Sequence, residues 1–301
     1  MTAPTHDHAA ALLAAPDSTA AELLAAARDL RDAFVRGDHL IGLLPGDASD
    51  TLVAALERAG DGGEVEAWVE LGRLLVYGAA PHAPYPPRDI DAAIDAFRRA
   101  DAAGSRDGAL GWIRVAYFTR DAERAQAAAA RLDRLVAEVP DDGEVLLFKG
   151  YLTHQGYGYE HDPAAGAAWH RKAADLGNAA AAFELSVLHT TGDGLPVDET
   201  EARRWTHRAA ELGSARAMAN LGSMYATASG VALDGRAALD WYVKAAEAGH
   251  ETAAFKAGVM CLIGDAGLPV DTKRAAELFE LAEESDIDVD EELEFMGLSR
   301  P

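Results

Sequence analysis

Apolar positions at helical spacing recur through the second half of the chain with a period of 36 residues. Trp169, Trp205 and Trp241 stand 36 residues apart, and Gly177, Gly213 and Gly249 keep the same interval. Each of these glycines closes an Ala-Ala-x-x-Gly stretch, beginning at Ala173, Ala209 and Ala245. A second set, Gly150, Ser186, Gly222 and Gly258, shares the period, with Ala181 and Ala217 ahead of it. The unit therefore has two apolar segments, each long enough for a helix. One extra residue in 264–271 carries Phe279 into register with Tyr242 at an interval of 37, and insertions belong in loops.

The helix ends are written into the same repeat. Residues 192–198 (Gly-Asp-Gly-Leu-Pro-Val-Asp) and 267–271 (Gly-Leu-Pro-Val-Asp) are turn sequences. Asp198 and Glu201 have capping-box spacing, and Asp162 before Pro163 puts a cap ahead of a proline at the first helical position. The helix that begins there, helix B, runs to Lys172, Arg208 or Lys244, where a cation complements the dipole, and stops at the glycine. Helix A, before it, carries Ala217, Leu221, Gly222 and Tyr225 on one face. A glycine inside a helix costs about 1 kcal/mol. Close approach of helix B offsets that cost, with Trp241 expected in the groove beside Gly222.

Composition narrows the fold class. Of the 301 residues 49% are hydrophobic but only 7% aromatic, and much of the apolar content is alanine. Alanine has the best helix propensity and little volume, which suits many closely packed short helices better than strands. The net charge of −23 repels phosphate backbones and anionic membranes, so nucleic acid and membrane are not expected partners. Cys261 is the only cysteine, which excludes an intrachain disulfide and a cysteine-based zinc site and fits a reducing compartment. Residues 1–16 contain no Lys or Arg, unlike a signal peptide, and no stretch reaches the roughly 20 apolar residues of a membrane span. The expected location is the cytoplasm.

The pattern Ala-x-x-x-Leu-Gly-x-x-Tyr, then a Gly-rich loop, Asp, Ala and Trp-Tyr-x-Lys-Ala-Ala-x-x-Gly, runs almost in full through residues 217–249. It resembles the Sel-one-like repeat, a relative of the tetratricopeptide repeat. The resemblance implies an all-α, right-handed superhelical solenoid of about six helix-turn-helix units that serves as an interaction scaffold, with no enzymatic activity and no cofactor. Four units match over 144–286, and a fifth over 66–104 matches through Leu71, Gly72, Gly78, Phe97, Ala100 and Gly104, with a loop five residues longer. Residues 105–140 keep Gly111 but look closer to an ordinary tetratricopeptide unit. The resulting division is a disordered leader (1–17), an N-terminal helical capping hairpin (18–65), the repeat solenoid (66–286) and an acidic C-terminal tail (287–301). The hairpin carries a Thr19–Glu22 capping box, a stop near Gly37 and a second helix from about Thr51 to Gly60.

Candidate chemistry is sparse. His6, Asp7 and His8 are suitable metal ligands, but they sit in the expected leader without a closed shell. Asp286, Asp288 and Asp290 match the start of a calcium loop, yet Glu291 stands where the loop needs Gly and Gly297 where it needs Glu. Cys261 occupies the helix A position of Tyr225, a core-facing place for a structural thiol. Gly192-Asp193-Gly194 lacks the strand and Gly-Lys-Ser/Thr of a phosphate loop. No metal site or catalytic constellation is expected.

In this superhelical class helix A lines the inner groove, so helix A positions that vary between repeats are the candidates for binding a protein or peptide. Arg73, Trp112 and Tyr151 follow the helix A marker, His154 and Thr190 come three residues later, and Phe183 and Phe255 lie three before it. Aromatic and Arg anchors dominate binding energy at interfaces; packing of repeat on repeat is the alternative for each. A different reading is an acidic immunity or anti-activator protein whose charge steers a basic partner. An enzyme ranks third.

Overall fold

The computed structural model describes residues 4–35, 45–77, 88–285 and 287–301. Gly37, Gly78 and Asp286 lie outside the described residues. Among those described, all regular structure is helical: sixteen α-helices, one short 3-10 turn and no strand. The chain forms two compact units, one of residues 1–139 with 157–159, the other of 140–156 and 160–301.

The first unit holds α1 (Pro4–Ala14), α2 (Ala20–Val35), α3 (Pro45–Asp61), α4 (Val65–Tyr77), α5 (Ile90–Ala102), α6 (Arg106–Phe118) and α7 (Ala125–Glu138). The Thr19–Glu22 capping box forms, with the Glu22 carboxylate accepting from the Thr19 backbone N–H at 2.8 Å. The expected disordered leader is corrected: residues 4–14 are a helix packed on both α2 and α3. Ala9 is buried there, and the Arg58 guanidinium donates to the carbonyls of Leu13 and Ala15 at 2.6 and 2.8 Å, satisfying groups the helix end leaves open. Further on, Gly72 of α4 and Gly111 of α6 both lie against the Phe97 ring of α5. A Cβ on either would come within 2.8 or 2.5 Å of it. Tyr157 and Tyr159 donate to the carbonyls of Asp121 and Ala129 at 2.5 and 2.7 Å.

The second unit holds α8 (Gly143–Gln155), α9 (Pro163–Asp175), α10 (Ala179–Thr191), α11 (Glu199–Glu211), α12 (Ala215–Thr227), α13 (Gly235–Glu247), α14 (Ala253–Ile263), α15 (Thr272–Glu283) and α16 (Val289–Phe295). Its even-numbered helices α8 to α14 are helix A of the four repeats, and each packs most closely on the helix B that follows. With α4–α5 and α6–α7, this makes six A–B pairs. Asp162, Asp198, Asp234 and Asp271 all cap a helix B through their side chains. The box at Asp198 closes on one side only, because the Glu201 side chain turns to Arg204, 2.6 Å away.

Between the two helices of a pair runs a seam. A Cβ on Gly150, Gly222 or Gly258 would lie 2.5, 2.8 or 2.5 Å from the ring of His170, Tyr242 or Phe279. This corrects the expected partner of Gly222: the ring on the glycine belongs to Tyr242. Trp241 instead sits half-buried beside His207 of the previous helix B, with Lys244 over its ring at 4.5 Å. Residues 287–301, expected as an acidic tail, include the ordered helix α16. Val289 and Leu293 are buried between its acids and close the core below α15.

Candidate protein-interaction surface

The seven expected binding residues do not share one surface. Trp112 and Phe255 are corrected to core positions. The Trp112 indole is 4% exposed and donates to Asp101 at 3.0 Å, while Phe255 packs 5.9 Å from Phe279. Neither offers surface to a partner. Arg73 and Tyr151 act as rungs between successive A helices: the Arg73 guanidinium meets Asp107 of α6 at 3.0 Å, and the Tyr151 hydroxyl donates to Glu184 of α10 at 2.7 Å. Phe183 is half-buried and Thr190 is exposed.

His154 is buried and donates from Nε2 to Asp193 at 2.9 Å, tying α8 to the loop after α10. Next to it, burial and the proximity of His154 push His170 down to about 4. His170 is a neutral ring filling a glycine seam. Burial likewise raises the Cys261 thiol, leaving it protonated and inert as a nucleophile. His6 bonds to Thr51 at 3.0 Å, and no group of three His, Cys, Asp or Glu among the described residues is arranged to hold a metal. No described helix is long and apolar enough to cross a membrane.

Thr190 leads to a cleft of about 420 Å³ between α10 and α12, floored by α11. It opens where the seam changes chemistry. Ser186 stands at the glycine position and Thr206 at the ring position, joined by a 2.7 Å hydroxyl bond and exposed by only 5% and 4%. Without a ring, the space beside them stays open. The loops also differ. In the flanking repeats, glycine contacts bring a loop onto the first turn of helix B: a Cβ on Gly194 would lie 2.5 Å from the Pro163 carbonyl oxygen, and one on Gly235 2.6 Å from that of Ala266. On α11, the helix B of the second repeat, the equivalent glycine of the next loop, Gly230, lies against the Arg203 guanidinium and not against helix backbone. Sequence reasoning found Thr190 but missed Ser186, Thr206 and Arg203. The signal was available as the joint loss of glycine and ring at 186 and 206.

The Sel1 repeat model matches residues 146–178, 179–214, 215–250 and 252–286, one match for each helix pair of the second unit. No curated protein matches the sequence. A solved Sel1 repeat protein from Oxalobacter formigenes is similar at 22% identity and TM-score 0.57, over 86% of this chain and 99% of that one. The protective antigen c5321 of uropathogenic Escherichia coli, described as displaying an SLR fold, is 23% identical with TM-score 0.50, over 83% of this chain and 53% of that one. An immunity protein from Pseudomonas aeruginosa aligns over 88% of this chain and 83% of its own at 19% identity and TM-score 0.47, too distant to add to the assignment. Residues 146–286 of this chain are thus four consecutive Sel1 repeats, in the same fold as the solved Sel1 repeat proteins.

Proposed function

We propose that the protein is a cytoplasmic, non-enzymatic adaptor that holds a segment of a partner protein on the helix A side of its second unit. Sel1 repeat proteins generally mediate protein–protein interaction. The observation that carries the reading is the cleft between α10 and α12, where the repeated packing gives way to polar, accessible groups. The burial of Trp112 and Phe255 and the rung bonds of Arg73 and Tyr151 shift the expected surface toward Thr190 and the α12 residues facing it.

Site-specific photocrosslinking in the native cell tests this. A crosslinker at Ser223, in the cleft, is expected to yield a discrete adduct with a partner protein, and one at exposed Glu211, at the end of α11, none. Equal adducts from both positions, or none from Ser223, would overturn the reading.

A second reading rests on the charge of −23, which suits a neutraliser of a basic partner. For the captured partner, an association rate that falls steeply with added salt favours that reading, and a salt-insensitive rate favours the adaptor.

A further inference from the structure

Resting on the adaptor reading, we infer that the cleft between α10 and α12 binds an extended peptide, with the peptide main chain against its threonine hydroxyls and an acidic side chain on Arg203. The hydroxyls explain the main-chain part. Thr190, Thr206 and Thr227 each donate to the carbonyl four residues back, at 2.9, 2.9 and 2.8 Å. Their single protons are used, so Ser186 is the donor in its bond to Thr206. The exposed hydroxyls of Thr190 and Thr227 present lone pairs to the cleft, which calls for N–H donors on the ligand. On α12, Asn220, whose side-chain amide makes no hydrogen bond among the described residues, offers both a donor and an acceptor. A peptide backbone supplies N–H and C=O in alternation and meets both requirements.

The acidic part follows from Arg203, the one cation among the described residues that line the cleft. Its guanidinium has five donors, yet its contacts are a carboxylate at 3.8 Å and the Thr200 hydroxyl at 3.4 Å. That carboxylate belongs to Glu199, whose side chain is 87% exposed and easily displaced. Arg204, one residue on, holds Glu201 at 2.6 Å, and Arg274, in the first turn of α15, holds Glu277 at 2.8 Å. Arg203 thus keeps unfilled capacity for a carboxylate, in a cleft whose other lining is uncharged apart from Glu199. The backbone beside it supports a binding role as well. Ala228 ends α12 in the left-handed region at φ 56°, where the other three repeats place Gly156, Gly192 and Gly264. Strain of this kind collects at ligand-binding segments.

The test is selection of peptides from a display library of random nine-residue sequences on the full chain and two variants. The double variant Ser186→Gly/Thr206→Tyr installs the pair found at Gly222 and Tyr242, so it is expected to fold with unchanged helicity while filling the seam. Arg203→Gln leaves the hydroxyls intact. The wild type is expected to select peptides with Asp or Glu at one fixed position, the double variant to lose them, and Arg203→Gln to bind them about tenfold more weakly without that preference. Peptides held equally by all three forms would overturn the cleft as the site while leaving the adaptor reading standing. Selection of Lys- or Arg-rich peptides would overturn the acidic assignment. A library yielding no binder would count against both readings.

Discussion

The second and third repeats of the second unit are the same construction one period apart. Both have an Ala-rich helix A, a helix B capped by Asp198 or Asp234, and a glycine stop at Gly213 or Gly249. Between α12 and α13 the seam is a glycine under a tyrosine ring; between α10 and α11 it is a serine hydrogen-bonded to a threonine. The backbone pairing survives the exchange because caps and buried alanines, Ala181, Ala209, Ala217 and Ala245, define it in both. The side chains at the seam therefore decide whether a repeat is closed or open. A ring buries area and excludes solvent, while two hydroxyls satisfy each other and leave room beside them.

Three measurements break or sharpen that contrast. The largest effect belongs to the closed seams: Phe279→Ala removes a fully buried ring and is expected to cost ~3–5 kcal/mol in chemical unfolding. Thr206→Ala deletes one acceptor in the open seam and is expected to cost only ~1–2 kcal/mol. Equal costs would show that the two kinds of seam are energetically alike.

The next concerns His170, the imidazole among the closed seams. Its folded-state value of about 4 lies below the ordinary 6.5, so the fold prefers it neutral. Below about pH 6.5 the unfolded chain takes up a proton that the folded chain refuses, and stability falls until about pH 4, by ~3 kcal/mol in total. Above that range this pH dependence vanishes. Urea unfolding from about pH 7 down to about pH 4 should show a shallower loss for His170→Phe than for the wild type; parallel curves would remove His170 as the cause.

The smallest effect is at the loop beside the open seam. Ala228→Gly relieves a left-handed alanine and is expected to stabilise by ~1 kcal/mol. A lower melting temperature in that variant would contradict the strain.

Much of this fold was legible because its markers act within a few residues. Asp162, Asp198, Asp234 and Asp271 cap the helices that follow them, and Gly177, Gly213 and Gly249 end helices in the left-handed conformation, as their spacing implied. The ends of the chain were harder to read. Val289 and Leu293 are hidden among acidic residues whose composition suggests a solvated tail, and α1 is held by contacts with Thr51 and Arg58, more than 40 residues away. The adjacent pair Trp241-Tyr242 misled for a related reason. By volume the larger ring is the better groove filler, but the helical angle between neighbouring positions points Tyr242 at Gly222 and Trp241 at the preceding helix B. At the binding surface, Arg73 and Tyr151 varied between repeats as a partner-facing residue would, yet their variation matches carboxylates on the next helix A.

The chain by itself determined the period, the order of helices, their ends and the pairing of glycine with a ring, because caps, turns and helical phase are set by neighbours in sequence. Only the tertiary structure decided which aromatic covers each glycine, which variable residues are used up between repeats, and that the second repeat stands open. Those outcomes depend on side chains some 20 to 40 residues apart meeting within ångströms. A serine in place of a glycine and a threonine in place of a ring are unremarkable along the chain. Brought together at 2.7 Å, with Gly230 against the Arg203 guanidinium, they leave a cleft.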